Sequence, residues 1–565
     1  MFSIAKIRSP GRAYRHLKRY RQILQVLFKY GFGELIDKLK LEQYIEIGLE
    51  KLSRKSRPRL ETMTGAERFK LALEELGPTF IKMGQILSTR PDLVPMEYVR
   101  ELSQLQDEVP PFAYREVKEV MRAETGKSPE ELFARFDESP RAAASIGQVH
   151  QASLKDGTDV VVKVQRPGIK EIIATDLEIM LHLASLMEKY IKEMEVLRPA
   201  RIVEEFARTL EEEIDYNTEA SHIERFARQF EGEETIRVPR VYRELSTERI
   251  LTMEDIHGIK ADNIDLLREK DYDLKEIASR GADLIMKQIF VFGYFHADPH
   301  PGNIFILPGN IICYVDFGMM GRISRPEREI FTDLLMAVIG RNEKKATEAL
   351  LQLTDYDREP DRARLEGRMG ELIDQYSYLS LKELNLGKLL EQFLELITKN
   401  NLVIKPRLFL MMKALGTVEG LGVELDPEFD IIKRAEPFVR RIQLERFNPK
   451  RIASDLIGSS IELAHLMKEI PGQLRALLKQ TREGKLQIEF KHRGLDRMFS
   501  THERISNRVA FAIVLSSLII GSSLIVLSRI PPKWNDIPLI GLAGFLVAGI
   551  MGFWLLITIL RHGKM

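Results

Sequence analysis

The stretch VFGYFHADPHPGNIFILPGNIICYVDFG, residues 291–318, decides the fold of this 565-residue chain. It contains two apolar runs, Ile304–Leu307 and Ile311–Val315, which are separated by the turn-forming residues Pro308-Gly309-Asn310. Apolar runs of this length on either side of such a turn predict a β-hairpin. The hairpin would carry Asn303 at its beginning and Asp316 at its end.

The spacing of polar residues in this stretch matches two kinase motifs. His296, Asp298 and Asn303 follow the catalytic-loop pattern H-x-D-x-x-x-x-N, and Asp316-Phe-Gly318 is the metal-binding D-F-G. Phosphoryl transfer needs an aspartate that accepts or orients the proton of the nucleophile, here Asp298. It also needs an asparagine and a second aspartate, here Asn303 and Asp316, to hold Mg²⁺ against the phosphates of ATP. Both motifs across one hairpin favour a phosphoryl-transfer site.

Charge and cysteine content exclude two classes of protein. The chain has 84 Lys and Arg against 83 Asp and Glu, a net charge of +1, so it lacks the overall charge of a nucleic-acid-binding protein. Its one cysteine, Cys313, excludes an internal disulfide bond, which fits a reducing compartment. Cys313 lies in the apolar run before Asp316, so we interpret it as a core side chain rather than a reactive thiol.

Two apolar segments near the end of the chain predict a transmembrane hairpin over residues 506–560. Val509–Leu527 and Ile537–Leu560 contain no charged residue, and Pro531-Pro532 between them would end the first helix. At 1.5 Å per residue the shorter segment would extend about 28 Å, close to the ~30 Å hydrocarbon core of a bilayer. The alternative is a buried hairpin of a soluble core.

The flanking charges predict the orientation of this hairpin. Basic residues precede the first segment and follow the second, whereas the connection carries only Arg529 and Lys533. The positive-inside rule then places both ends and the large preceding domain in the cytoplasm, at the cell inner membrane. Gly544, Ala548 and Gly552 recur every four residues, so this face should pack against the first span or against a second copy of the chain, as in a homodimer.

Lys163 is the candidate phosphate-orienting lysine. It lies among valines in the predicted strand Val160–Val164, after a hairpin turn, as does the kinase V-A-I-K lysine. The alternative is an exposed edge strand. A kinase pairs this lysine with a helix glutamate, and Glu219 is our choice from the helix predicted after Pro199. On one continuous helix Asp215 would share the face of Glu219, whereas Glu213 would not.

The loop that should cover the phosphates is rich in alanine instead of glycine. Alanine disfavours the positive φ that glycine adopts, so we expect the backbone to lie less freely over the phosphates and to alter nucleotide preference. Thr252–Gly258 resembles the hinge between two lobes, with the backbone near Glu254 and Ile256 as the adenine partner. The candidate ATP-binding residues of the loop are Ala142, Ala143, Ala144, Ser145, Gly147, Gln148 and Val149.

The segments FIKMGQ, AAASIGQVH, VVVKV, EIDYNTEA, HADPHPGN and VDFG follow one another in this order. As a set they resemble the UbiB or aarF-domain-containing (ADCK-type) family of atypical kinases, over about residues 60–440 and the C-terminal hairpin. The resemblance implies an α+β, bilobal protein-kinase-like fold with a helical N-terminal extension. It also implies ATP or ADP and Mg²⁺ as cofactors, and it agrees with the catalytic and metal residues named above.

The same resemblance implies a role for the N-terminal extension. Lys82 and Gln85 match the family's KxGQ motif, whose lysine enters the nucleotide cleft and meets the two carboxylates of an ExD motif, here Glu213 and Asp215. Glu219 matches the family's helix glutamate. The helix carrying Lys82 would then lie across the cleft where a protein kinase admits its peptide, and it would act as a lid.

The sequence after the D-F-G motif departs from that of protein kinases. A helix start at Arg325-Pro326-Glu327 follows almost at once, and no A-P-E motif is present. The platform that holds a peptide substrate is therefore missing, which disfavours a protein kinase acting in trans. We divide the chain into a basic helical segment (1–60), the KxGQ extension (61–115), an N-lobe (116–258), a C-lobe (259–445), a juxtamembrane linker (446–505) and the membrane hairpin (506–560).

These features predict a membrane-anchored, Mg²⁺-dependent enzyme that is an ATPase or a kinase of a small molecule or lipid. The resemblance implies support of ubiquinone biosynthesis, with isoprenoid-quinone precursors and other biosynthetic proteins as partners. Anionic lipid is a further expected partner, because the basic N-terminal helices could rest on it, although they could equally dock on the next domain. The alternative function is a nucleotide-switched scaffold or lipid-extraction module. Asp298 favours catalysis, since a scaffold does not need the base.

Overall fold

The computed structural model describes residues 10–39, 41, 63–91, 93–105, 110–191, 199–356, 359–377, 386–400, 402–446, 482, 495–528, 530–534 and 537–562. The chain divides into two compact units, Met1–Ala453 and Ser454–Met565. The first unit holds the candidate site, and the second holds the apolar helices near the end of the chain. Most of the predicted juxtamembrane linker lies outside the described residues, which include only 446, 482 and 495–505 of it.

The first unit contains a five-stranded antiparallel sheet. Its strands are β1 (Arg135–Phe136), β2 (Ala142–Ala143), β3 (Gly147–Ser153), β4 (Asp159–Gln165) and β6 (Ile250–Glu254), in the order β1-β3-β4-β6 with β2 also on β3. Val160, Val162 and Val164 are buried against helix α6 (Tyr114–Thr125). Because side chains alternate along a strand, Lys163 lies on the opposite face, between its cross-strand partners Val149 and Leu251.

The helix expected after Pro199 is in fact two helices, α9 (Pro199–Glu213) and α10 (Tyr216–Gln229). Asp215 interrupts it with φ −96° and ψ 100°, and its carboxylate accepts a hydrogen bond from the Asn217 N–H at 2.9 Å. This N-cap satisfies a helix donor that would otherwise lack a partner. The prediction that Asp215 and Glu219 share one face of a continuous helix is therefore wrong.

The N-terminal extension consists of α1 (Pro10–Lys29), α2 (Gly33–Lys38), α3 (Gly65–Leu76), α4 (Pro78–Leu87) and α5 (Met96–Leu102). It is followed in the chain by α6 and then by the short helix α7 (Pro129–Leu132). Gly77, with φ +94°, ends α3 before Pro78, as the sequence predicts. Arg19 of α1 contacts the Asp176 carboxylate at 2.7 Å and the Leu76 carbonyl at 2.8 Å. Ile23 of α1 is buried in one hydrophobic core together with Leu76 of α3 and Ile173 of the helix Ile169–Tyr190. These contacts favour docking of the basic helix on the following domain.

The predicted catalytic hairpin is present as β9 (Ile304–Leu307) and β10 (Ile311–Tyr314), with four cross-strand pairs. Gly309 and Asn310 turn the chain with φ of +81° and +57°, the left-handed conformations that a tight hairpin turn needs. Cys313 is fully buried and burial raises the pKa of its thiol to about 12. This agrees with its interpretation as a core side chain.

The hairpin lies in a small sheet surrounded by the helices of the large lobe. The sheet has the order β5-β10-β9-β7, with β5 at Ile236–Arg237 and β7 at Ile259–Lys260. Strand β11 (Met320–Arg322) pairs with β8 (Tyr294–His296), and Ser324 then caps the next helix. The helices are α8 (Ile169–Tyr190) and, in the large lobe, α11 (Ile264–Glu269), α12 (Leu274–Met286), α13 (Arg325–Ile339), α14 (Glu343–Leu353), α15 (Arg362–Ser377), α16 (Leu386–Lys399), α17 (Pro406–Leu425) and α18 (Ile431–Arg446), with the short strands β12 (Thr354–Asp355) and β13 (Val403–Ile404).

The second unit pairs α19 (Leu495–Ser528) with α20 (Leu539–His562), joined through β14 (Lys533–Trp534) and β15 (Ile537–Pro538). A Cβ atom added at Gly544 would clash with the Ser522 hydroxyl, so the small-residue face of α20 packs against α19. Among the described residues, one helix, Val509–Ser528, has the length and composition to cross a membrane; Leu539–Leu555 is a shorter apolar run. The two-span hairpin therefore stays a prediction.

Candidate active site

Lys163 and Glu219 form an ion pair at the centre of the site. Lys163 Nζ donates a hydrogen bond to Glu219 Oε2 at 2.8 Å, and both side chains are largely buried. The Tyr216 ring lies 5.2 Å from the ammonium group and adds a cation–π contact. Strand β4 and helix α10 thus bring together the two residues that the sequence nominated as phosphate-orienting lysine and helix glutamate.

A second carboxylate, that of Asp316, acts on the same lysine. Burial alone would lower the pKa of Lys163, but Glu219 and Asp316 outweigh it and the pKa is raised. Burial raises the pKa of the Asp316 carboxyl, yet Lys163, the Gly318 N–H, His296 and Lys82 together bring it below its usual value. For Glu219 burial dominates and its pKa is raised, since Lys163 and Asp316 act on it with opposite signs. The site therefore concentrates negative charge around one ammonium group.

The candidate base Asp298 has a partner that sequence reasoning missed. Lys413 Nζ of helix α17 donates a hydrogen bond to Asp298 Oδ1 at 3.0 Å. A signal for it exists in the sequence, because Lys413 is the single charge between Leu408 and Leu415. On the other side, the buried His296 ring contacts the backbone carbonyl of Asp316 and so ties the catalytic loop to the D-F-G motif.

Asn303 and Asp316 lie at the two ends of the hairpin, as the sequence predicts. Val315 N–H donates to the Asn303 carbonyl at 3.1 Å, which brings the end of the catalytic loop beside the residue before Asp316. An amide and a carboxylate offer the oxygen ligands that Mg²⁺ prefers. The described part of the chain contains no group of three His, Cys, Asp or Glu that could hold a metal. A Mg²⁺ ion here would take its other ligands from phosphate and water.

The alanine-rich loop is the turn between β2 and β3. Ala142 pairs with Val149, Ala143 pairs with Gln148, and the Ala144 N–H donates to the Gly147 carbonyl at 2.8 Å. A Cβ atom at Gly147 would clash with the Tyr216 hydroxyl and lie 2.7 Å from the Val164 carbonyl. A glycine is therefore needed at position 147 so that the loop can pack closely against Tyr216 and strand β4, next to Lys163.

Several buried polar atoms in and around this loop have no hydrogen-bond partner among the described residues, among them Ser145 Oγ, Tyr216 Oη and Glu219 Oε1. Buried polar groups are nearly always satisfied, so these atoms leave donors and acceptors that water or a ligand can complete. Phosphate oxygens, water and a metal ion can supply the missing donors and acceptors. The residues present thus fit Mg²⁺ and a nucleotide.

Two of the nominated nucleotide residues use their side chains elsewhere. Gln148 accepts from the Phe112 N–H at 3.0 Å and donates back to the Phe112 carbonyl at 3.3 Å, so its amide anchors the connector to the sheet. The Glu254 carboxylate accepts hydrogen bonds from Arg237 at 2.7 Å and from the Arg240 N–H at 3.1 Å. Ile256 is buried beside Phe305. The backbone N–H of Glu254 donates to the Arg240 carbonyl at 2.9 Å, so it too is engaged within the protein.

The KxGQ motif lies on α4, and Lys82 forms an ion pair with Glu213 at the end of α9. The charge of Lys82 is also one of the influences that lower the pKa of Asp316. A Cβ atom at Gly84 would clash with Leu105, and the Gln85 amide donates to the Leu105 carbonyl at 3.3 Å. Gly84 and Gln85 therefore fix α4 against the segment at Leu105, while Asp215, the other ExD carboxylate, caps α10.

Comparisons with known proteins match three parts of the chain to models of one family. Residues 104–350 match a model described as the ABC1 atypical kinase-like domain, residues 369–430 the UbiB helical domain and residues 493–561 the ABC1/UbiB kinase-like C-terminal domain. A protein of Clostridium pasteurianum named "uncharacterized protein in hydrogenase 1 5'region" is 35% identical over 97% of this chain and 99% of its own length.

Two further matches add a named relative and a solved structure. The "probable protein kinase UbiB" of Pseudomonas fluorescens SBW25 is 34% identical over 80% of this chain and 85% of its own. The solved structure titled as the complex of Rv3197 with erythromycin, from Mycobacterium tuberculosis, is 22% identical and aligns with a TM-score of 0.46. The alignment covers 67% of this chain and 94% of that one.

Proposed function

The chain belongs to the UbiB family of atypical kinase-like proteins, and from this premise we propose that it is an Mg²⁺-dependent, ATP-consuming phosphotransferase or ATPase. The observation that carries the proposal is the Lys163–Glu219 pair beside Asp316 and the catalytic hairpin. A kinase site needs a lysine held for the phosphates and two oxygen ligands for the metal. The unpartnered atoms of Ser145 and Tyr216 support a ligand at this place.

The residues divide the work of one displacement. An oxygen of water, or of an acceptor hydroxyl, forms a bond to the γ-phosphorus of ATP. At the same time the bond between that phosphorus and the β–γ bridging oxygen breaks, and the bridging oxygen leaves as part of ADP. Asp298 orients the nucleophile and takes its proton, which then passes to solvent. Lys163 orients the phosphates, and Asn303 and Asp316 would hold Mg²⁺. When bound, Mg²⁺ neutralises charge that develops on the phosphate oxygens.

The lid proposal disfavours a protein as the phosphoryl acceptor. Lys82 bonds to Glu213, which holds helix α4 beside the metal site. Strand β11 leads to α13 within two residues, so these described residues leave no room for a peptide platform between them. Both features favour water, a small molecule or a lipid as the phosphoryl acceptor. They disfavour a protein kinase acting in trans.

We propose ubiquinone biosynthesis at the inner membrane as the setting, from the family resemblance and from the relatives named UbiB. The helix Val509–Ser528, with a mean hydropathy of 2.5, supports a membrane anchor, and the two-span hairpin remains our proposal for it. Anionic lipids, isoprenoid-quinone precursors and other biosynthetic proteins are the proposed partners. The kinase-like domain would face the cytoplasm.

ATP hydrolysis by the purified full-length chain tests this function. We expect Mg²⁺-dependent turnover, raised by vesicles that contain anionic lipid and by quinone-precursor analogues. Nucleotide binding without turnover under every condition would favour the second candidate, a nucleotide-switched scaffold. If the chain neither bound nor hydrolysed ATP, both candidate functions would be contradicted.

A further inference from the structure

Lys413 and Asp298 form an ion pair between two distant parts of the chain. Their atoms Nζ and Oδ1 are 3.0 Å apart, and the side chains are 32% and 39% exposed. Lys413 lies on α17 in the region that matches the UbiB helical domain, whereas Asp298 lies in the catalytic loop. The contact therefore joins the loop to a helix 115 residues later.

The catalytic loop has no cation of its own. Residues 296–303 read HADPHPGN and contain neither lysine nor arginine. An anionic terminal phosphate that approaches Asp298 would meet a carboxylate, and two negative groups at short range repel each other. Lys163 and Mg²⁺ would act on the phosphates, whereas Lys413 is the cation that contacts the Asp298 carboxylate itself and can offset this repulsion there.

Lys413 lies at the edge of the core rather than in it. Its sequence neighbours Met412 and Ala414 are buried in the core of the large lobe, whereas the Lys413 side chain is 32% exposed. The ammonium group is thus partly removed from water at the place where it meets Asp298. The Thr417 hydroxyl donates a hydrogen bond to the backbone carbonyl of Lys413. Because this bond does not use the Lys413 side chain, it should persist when Lys413 is substituted.

We propose that Lys413 is a positioning residue for phosphoryl transfer. It fixes the Asp298 carboxylate in the orientation that receives the proton of the nucleophile, and it offsets the carboxylate charge while the terminal phosphate approaches. The inference rests on the proposed function. It assigns to the UbiB helical region a direct part in the chemistry of the kinase-like domain.

Steady-state ATP turnover by full-length variants tests it. Lys413→Met should lower kcat about 10- to 100-fold, the range expected when a catalytic group is misplaced. The KM for ATP should change less than about threefold, because binding is carried by Lys163 and the metal site. Lys413→Arg, which keeps the charge and the reach, should restore most of kcat. The matched control is Lys405→Met at the start of the same helix, where Lys405 bonds to the Gln352 carbonyl, and it should leave kcat unchanged.

A double variant separates positioning from general damage. If Lys413 acts through Asp298, then Lys413→Met should cost little further activity in an Asp298→Asn background. Three results would overturn the positioning role of Lys413. They are a wild-type kcat in Lys413→Met, a fully additive loss of turnover in the double variant, and a loss of ATP binding as large as the loss of turnover. A wild-type chain without Mg²⁺-dependent turnover would instead overturn the proposed function, and this inference with it.

Discussion

Lys82 of the N-terminal extension forms an ion pair with Glu213 of the kinase-like domain, and both side chains are more than four-fifths buried. The pair joins α4 to the end of α9, and the charge of Lys82 contributes to the lowered pKa of Asp316. A protein kinase leaves this side of the cleft open for its peptide. In the lid proposal the N-terminal extension closes it, and the first prediction tests that closure.

Lys82→Ala should change activity more than stability. Loss of the pair frees Glu213 and loosens α4, whereas Lys163–Glu219 remains. ATP turnover should change about threefold or more, and the unfolding midpoint should fall by no more than about 4 °C. Lys70→Ala, which removes a contact to Glu101 within the extension, serves as the control. Equal effects of the two substitutions on turnover would mean that Lys82 is ordinary helix surface.

Asp316→Asn should abolish Mg²⁺-dependent nucleotide binding while the fold persists, because the metal loses a negative ligand. The measurement is a thermal-shift titration with ATP in the presence and absence of Mg²⁺. Asp265→Asn, at a fully exposed position on α11, should bind as the wild type does. An unchanged titration for Asp316→Asn would remove this residue from the metal site.

Glycine at Ala142 or Ala143 should change the preference between ATP and ADP, or permit autophosphorylation. The loop is held in a β2–β3 turn, and glycine would let its backbone close further over the phosphates. Competition binding with both nucleotides and incorporation of labelled phosphate measure the two outcomes. Ala123→Gly on the exposed face of α6 controls for backbone flexibility. If neither property changes, the alanines serve packing alone.

Truncation after Met498 should give a soluble protein that still binds nucleotide. All candidate site residues lie in the first compact unit, which ends at Ala453, and the apolar helix Val509–Ser528 is removed. Fractionation of expressing cells, followed by the same thermal-shift titration, measures both properties. A truncated chain that stays with the membrane fraction would move the anchor to the basic N-terminal helices.

The sequence predicted what local signals specify. The β9–β10 hairpin follows from its turn residues, and Lys163 follows from a strand of valines, since both patterns act over a few residues. Gly77 before Pro78 marks a helix break for the same reason. These elements place the ion pair, the catalytic loop and the D-F-G motif without any knowledge of distant contacts.

What the sequence could not predict depends on competing local bonds and on distant contacts. Asp215 sits in an acidic, helix-favouring stretch, yet it caps a new helix, because a carboxylate can satisfy the backbone as well as share a face. Gln148 reaches back to Phe112, 36 residues away. Lys413 stands out in the sequence as a single charge in an apolar helix, but its partner Asp298 lies 115 residues away, and spacing along the chain does not reveal that contact.

Comparison of Asp298→Asn with the wild-type full-length chain tests the central claim most directly. We expect Mg²⁺-dependent ATP turnover to fall about 100-fold or more, the share usual for a general base, while ATP affinity by thermal shift stays within about threefold. Asp262→Asn is a matched control, since Asp262 is a nearby carboxylate to which no role in transfer is assigned. Wild-type turnover in Asp298→Asn would contradict the account and leave a nucleotide-binding scaffold in its place.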